Sequence, residues 1–347
     1  MSRPNRAFIW VAFLVSLTLL TALVLAMDVV ETAHAAAHTS SPRADIEQMR
    51  PQAPTAATYV QGHITTTTTW TAANSPYIVS GPTHCCWLVI DPGVTLTIEP
   101  GVVVKFETTN RDITVEGSLR ALGTEAAPVV FTSYKDDAHG GDTNGDEAAS
   151  QPAPGDWRGI TFAQSSTNNL LQHVWIGYAA GNNAYEAVLA QTEGDALTLD
   201  HVTVAHSLYH GLQIYGAWPE IDDCEFRQNA VAGINSHNTA PLIDTPVHLQ
   251  NTRFISNTGW AVAFDSFSEA LGTDINADGN EAIGNGGNGW YLGGGKHITN
   301  TVTLTATGDF PFVFGPNAVI DRDAILALAP GTTIKFEGSA GLSVEGQ

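Results

Sequence analysis

The chain has 347 residues, 43% of them hydrophobic and 33 of them glycine, enough for a sizeable core or, by length alone, for two domains. Its 35 acidic residues outnumber 14 basic ones, and the resulting formal charge of −21 excludes a nucleic-acid partner, because little is present to neutralise phosphates; cations are the expected counter-charges. Cys85, Cys86 and Cys224 cannot build a disulfide framework, and without a Cys-x-x-Cys spacing they indicate neither a zinc site nor a thiol redox centre.

Arg3 and Arg6 precede an apolar run from Ala7 to Met27, followed by Ala33-His34-Ala35 with small residues where signal peptidase cuts. Residues 1–35 therefore read as an export signal. Left uncleaved, residues 7–27 are long enough to act as a membrane anchor helix, and no other segment is expected to meet a membrane. Either way the product is exported, to the cell surface or the extracellular space. Residues 36–57, rich in Ala, Ser, Pro and Thr, read as a flexible linker.

From Tyr59 onward no apolar face recurs with helical spacing, while runs of four to six β-formers alternate with turn residues. The body is all-β. Leu96–Glu107 (LTIEPGVVVKFE) returns as Leu326–Glu337 (LALAPGTTIKFE), and the flanks match too: Ser75–Gly81 against Phe310–Gly315, and Val115–Gly117 against Val344–Gly346. Such self-similarity is the mark of stacked repeats. The division expected from it is a parallel β-helix over residues 58–285 and the start of a second, truncated copy over 286–347. Because the second copy stops at Gln347, the chain is expected to be a fragment of a longer protein.

Four runs, His173–Ala179, His201–Ser207, Asp223–Asn229 and Asn251–Asn257, place Ile176, Val204, Phe226 and Phe254 in register at spacings of 28, 22 and 28 residues, one coil of a β-solenoid. Second runs, Gly159–Phe162, Gly211–Ile214, Ala232–Asn235 and Trp260–Phe264, give each coil at least two strands. Phe131, Phe162, Ile176, Val204, Phe226 and Phe254 are expected to share one interior. Asn229 and Asn257 each fall three residues after an in-register Phe, where an amide can bond its own turn and stack on the next coil. Insertions such as Asp136–Asp156 are expected to project from a corner without disturbing the stack.

These motifs carry a resemblance. The pattern from Pro76 through Leu96–Glu107, Val115-Glu116-Gly117, Gly123-Thr124 and Phe131-Thr132-Ser133 to Trp157–Phe162 resembles the opening of right-handed parallel β-helix repeat proteins exported by bacteria, within the pectate-lyase-like superfamily. It covers roughly residues 60–265 and restarts near Gly287. Thr83–Trp87 (THCCW) departs from it. The resemblance implies a right-handed solenoid at the cell surface or in secretions, and it fixes no activity.

Several constellations carry chemistry. Asp274, Asn276 and Asp278 alternate oxygen donors ahead of Gly279, as in the opening of a calcium loop, although Asn285 stands where an EF-hand would need a Glu. Asp142, Asn144 and Asp146 repeat the alternation with Glu147 in place of the Gly, and Asp136 and Asp137 lie close enough in sequence to complete an oxygen cage. For both loops the competing reading is a solvated acidic turn. Asp222-Asp223 and His210-Gly211 bring to mind a glycosidase acid pair. They stand in the reverse of the order found in polygalacturonase-like enzymes, and no Arg-x-Lys follows. Arg227 and Arg253 flank their in-register Phe on opposite sides and are expected to share no common face. Trp157, Trp175, Tyr178, Tyr209, Tyr215, Trp218 and Trp260 would make a carbohydrate platform if several faced outward, and otherwise fill corners. His173 and His201 occupy one coil position a repeat apart, as in a ladder, with no zinc spacing around them.

The expected function is an exported, non-catalytic β-helix module, adhesive, structural or glycan-binding, with calcium-stabilised loops and no assigned catalytic residue. The alternative is a polysaccharide lyase or glycoside hydrolase.

Overall fold

The computed structural model describes residues 57–81, 88–192, 196–216, 218–236, 247–264, 270–271 and 274–345. The export segment, the linker up to residue 56 and the Thr83–Trp87 departure lie outside them. Among the described residues the only helix is a turn of 3₁₀ at Ala72–Asn74, and no helix is long and apolar enough to cross a membrane.

Parallel strands wind into a β-solenoid, with three strands to a coil over most of its length. Side one of a coil is a strand such as Glu220–Asp222, side two follows at Glu225–Arg227, and side three at Ile234–Ser236. Each pairs in parallel with the coil before, as Ile221 with Leu199, Phe226 with Val204 and Ile234 with Leu212. The period-two alternation of the strands sends one residue in two inward, and coil after coil contributes to a single core. Phe131, Phe162, Ile176, Val204, Phe226 and Phe254 are all fully buried in it, and Ile176, Val204, Phe226 and Phe254 pair in sequence. The Phe226 and Phe254 rings stack at 5.5 Å.

The corners explain how so short a strand can turn. Between sides one and two a single residue takes positive φ at His173 (46°), His201 (55°), Asp223 (52°), Asn251 (50°) and Gly279 (71°). Between sides two and three the same role falls to Tyr178, His206, Gln228, Ser256 and Gly284. A non-glycine side chain there is strained by roughly 1–2 kcal/mol, which the stack must over-determine. In the later coils the residue after the corner supplies the bonds that do so. Asn229 Nδ2 donates to Asn257 Oδ1 (2.9 Å), Asn257 Nδ2 to Asn285 Oδ1 (2.8 Å), and each amide also donates to a strand carbonyl, Val204 O or Phe226 O. A second ladder, Val202 N to Cys224 Sγ, Cys224 N to Thr252 Oγ1 and Thr252 N to Asn280 Oδ1, lines the other corner.

The pairing runs across residue 285 without a break, since Val262 pairs with Trp290 and Ile275 with Leu304. The second copy of the motif enters the stack in register only at its start, since Thr95–Ile98 and its counterpart Ile325–Leu328 both lie on side one, and the strands that follow are displaced. Val103–Phe106 of the first copy belongs to side two, whereas its counterpart Ile334–Phe336 pairs with Phe312–Phe314 in the sheet of side three. Side two ends at Glu281–Ile283, and a new four-stranded sheet opens with Ala270–Leu271, His297–Ile298, Ala318–Ile320 and Leu342–Val344.

The insertion after side two of the third coil does not project. Residues 134–158 fold back over the outer surface of side two, where Val103, Val130 and Trp175 form an apolar patch. His139 stacks on Trp175 (5.1 Å), and a side chain at Gly140 would lie 3.3–3.5 Å from Pro76 and Val103. An exposed apolar patch next to a long loop is the physical reason for the fold-back.

Arg227 and Arg253 do share a face, because the residues before and after an inward Phe both point outward in a strand. Both reach Glu225, at 3.2 and 3.0 Å, and Arg253 also reaches Glu281 at 3.0 Å, forming an ion-pair column on side two.

Candidate metal centre

The folded-back loop brings acidic residues together. Strand Val103–Phe106 turns Val104 and Phe106 inward and Lys105 outward, beneath the loop. Lys105 is fully buried, and its Nζ donates to Gly141 O (2.6 Å) and Thr143 Oγ1 (3.0 Å). Burial lowers its pKa to about 8, against the opposing charges of Asp136, Asp137 and Asp142. Trp157, stacked on Phe106 at 3.8 Å and donating to Gly177 O, anchors the far end of the loop in the core.

Asp142 organises the turn. Its Oδ1 accepts from the amides of Gly145 (2.7 Å) and Asp146 (3.2 Å), and its Oδ2 from Glu147 N (2.9 Å). Asn144 donates to Asp146 Oδ2 and Ser150 Oγ, both at 2.9 Å, which leaves Asn144 Oδ1 and Asp146 Oδ1 buried without a hydrogen-bond partner. Both oxygens of Asp137 are in the same condition. The carboxylates of Asp137, Asp142 and Asp146 offer oxygens within 4.8 Å of one another, the one such set of three His, Cys or acidic groups among the described residues. Burial and the Asp142 charge raise the Asp137 carboxyl above its ordinary range, as expected when like charges crowd.

Four donor-less oxygens within one short loop, at a point where three carboxylates converge, are costly unless something positive satisfies them. An all-oxygen donor set suits a hard cation such as Ca²⁺, which takes about 6–8 oxygens at roughly 2.3–2.6 Å. Asp142, Asn144, Asp146 and Asp137 would hold it. Asp136 does not join, since its carboxylate accepts from Thr132 Oγ1, Ala138 N and His139 Nδ1. Burial raises its pKa, and those bonds with the Lys105 charge outweigh burial and hold it low. Lys105 escapes notice in the sequence because a strand lysine reads as solvent-facing; the signal was its recurrence as Lys335, which is exposed.

Asp274, Asn276 and Asp278 are not gathered in this way. Ile275 and Ala277 are buried, so Asp274 and Asn276 line the outside of an extended strand, about 6–7 Å apart per two residues. Their oxygens are already engaged: Asp274 Oδ1 accepts from Thr303 N (2.6 Å) and Asp278 Oδ1 from the Thr307 hydroxyl of the next coil, and Asn276 Oδ1 accepts from Asp278 N (3.2 Å) within its own turn. The alternation that reads as a calcium loop is here the alternation of a strand.

Asp222 and Asp223 sit at a corner, with Asp222 Oδ1 accepting from Asp223 N and Asn251 Nδ2. The His173 and His201 rings lie 4.5 Å apart as a corner ladder, and His201 Nδ1 bonds Asp200. Of the seven aromatics, Trp157, Trp175 and Trp218 are buried, Tyr178 stacks on His206 and Trp260 on Tyr291, while Tyr209 and Tyr215 are exposed. The exposed Tyr185, absent from that set, lies beside Tyr209 at 5.4 Å. Compared with known proteins, the chain matches no family model, no curated protein and no solved structure.

Proposed function

We propose that this chain is an exported, non-catalytic structural module, a right-handed parallel β-helix of the pectate-lyase-like kind, whose loop 134–158 is held down by calcium. The convergence of Asp137, Asp142 and Asp146 above buried Lys105 carries this reading. A bound cation would lock the loop onto side two, shielding the apolar patch at Val103, Val130 and Trp175 and stiffening the coils it spans. The apolar run at 7–27 supports export to the cell surface or beyond. Adhesion and glycan binding are roles that such a rigid, acidic rod would serve.

The test is thermal unfolding with and without calcium. Free Ca²⁺ at about 100 times its dissociation constant adds roughly 2.7 kcal/mol if it binds only the folded state. The melting temperature is expected to rise by several degrees, and Asp146→Ala to abolish the rise. Asp278→Ala, outside the convergent set, is expected to retain it. Superimposed melting curves in chelator and in millimolar calcium would refute the metal reading.

A further inference from the structure

We propose that the outer surface of side three carries a binding site for a neutral pyranose of a glycan chain, seated over Asp112, Arg158 and Glu186 and continued by Tyr185, Tyr209 and Tyr215. This deepens the reading of the chain as a glycan-binding surface module and is independent of the calcium loop.

Three successive coils build it. Strands Asp112–Val115, Gly159–Phe162 and Glu186–Ala190 pair in register, Asp112 against Gly159 and Ile160 against Val188. Gly159 lines the cavity between Asp112 on one neighbouring coil and Glu186 on the other. Its φ of 137° and the 2.7 Å that would separate a Cβ from Ala187 O exclude a side chain there, so no side chain at this position stands between the two carboxyl groups. The cavity measures about 300 Å³, and Asp112, Thr114, Arg158, Thr161, Asn183 and Glu186 give it its polar lining. That volume is at the lower end for small-ligand sites. Asp112 is 4% exposed, and its Oδ2 lies 3.4 Å from Arg158 Nη1 while its Oδ1 is buried with no hydrogen-bond partner. An unmet buried oxygen at a cavity wall calls for a donor from outside.

The chemistry selects the ligand. Hydroxyls, an amide, a guanidinium and two carboxyl groups within one small cavity match a polyhydroxylated ring that both donates and accepts. Burial, opposed by Arg158, pushes the Asp112 carboxyl up to about 7; burial does the same for Glu186, also to about 7. Near neutral pH each carboxyl can therefore accept from a sugar hydroxyl or donate to one. A polyuronate would set its own carboxylates against these two on a chain of net charge −21. Beside the cavity the exposed tyrosines supply stacking surface: Tyr185 is 59% exposed, Tyr209 36% and Tyr215 41%. Tyr215 lies within electrostatic reach of Glu186 and Tyr185. Large aromatics grouped in the open beside a polar cavity mark an interaction surface, and the apolar face of a pyranose fits them.

Isothermal titration of the purified chain with cellohexaose, maltohexaose, mannohexaose and xylohexaose tests the site, with hexagalacturonate as the anionic counterpart. At least one neutral hexaose is expected to bind at submillimolar concentration. Tyr185→Ala and Glu186→Ala are each expected to weaken it roughly five- to tenfold. Tyr59→Ala, an equally exposed tyrosine on side two, is expected to leave it unchanged. The proposal fails if no neutral hexaose saturates the chain at millimolar concentration, if hexagalacturonate binds instead, or if Tyr185→Ala has no more effect than Tyr59→Ala. Melting with and without calcium is read on the same variants, so loss of the glycan site and loss of the calcium-held module are told apart.

Discussion

Asn257→Ala is expected to lower the stability of the solenoid by about 3–5 kcal/mol. The Asn257 side chain accepts from Asn229 N (3.1 Å) and Nδ2 (2.9 Å) and donates to Phe226 O (2.9 Å) and Asn285 Oδ1 (2.8 Å). Truncation leaves Asn229 N–H and Phe226 C=O without those partners in a place water does not reach, each costing roughly 1–3 kcal/mol. It also releases the turn that holds Ser256 at a φ of 55°. Denaturant unfolding of the two proteins at one pH measures the difference. A loss below about 1 kcal/mol would show that the strand ladders alone hold the corner.

The second large effect is on pH dependence. Asp112 and Glu186 have folded pKa values near 7, raised by burial above the ordinary 3.8 and 4.5. Between about pH 4 and 7 the unfolded chain has released protons that the folded chain still holds, so stability falls as pH rises through that window. Above 7 both states are ionised and the loss is complete. Each tenfold difference in proton affinity between the folded and unfolded chain is worth about 1.4 kcal/mol, and after a discount for residual solvation the pair accounts for roughly 2–4 kcal/mol. Asp136 and Asp200, whose pKa values are lowered, act in the opposite sense and only below the ordinary carboxylate range, so the windows do not overlap. Asp112→Asn is expected to raise stability at pH 8 by about 2 kcal/mol and to change little at pH 4. Equal effects at the two pH values would mean that the carboxyl is solvated after all.

The parts of this fold that were legible in the sequence are those in which one residue type recurs at one coil position. Ile176, Val204, Phe226 and Phe254 are such a column, and so are Asn229 and Asn257, because inward and corner positions tolerate few side chains. Side one was hard to see. Glu220–Asp222 buries a single residue, and Leu197–Ala205 runs through the His201 corner as one strand, so neither shows a separate apolar run. The acidic loop was visible as Asp142, Asn144 and Asp146, but its direction was not, since that depends on Lys105, 36 residues before Gly141. The Asp112 and Glu186 cavity was invisible. It joins residues of alternate coils, Asp112 and Glu186, with Gly159 of the coil between them, and no sequence spacing brings these together.

The direction of the bonds between coils has a mechanical consequence. Strand ladders and asparagine ladders alike point along the axis, so tension applied through the two ends of the solenoid meets them one coil at a time and peels instead of shearing. Each released coil of 22–28 residues frees roughly 70–100 Å of chain. The coil bearing residues 134–158 is the exception, because Lys105 of the preceding coil is bonded to Gly141 and Thr143 within the loop. There the rod carries a cross-tie, and pulling records are expected to show their highest and most calcium-sensitive force at that point.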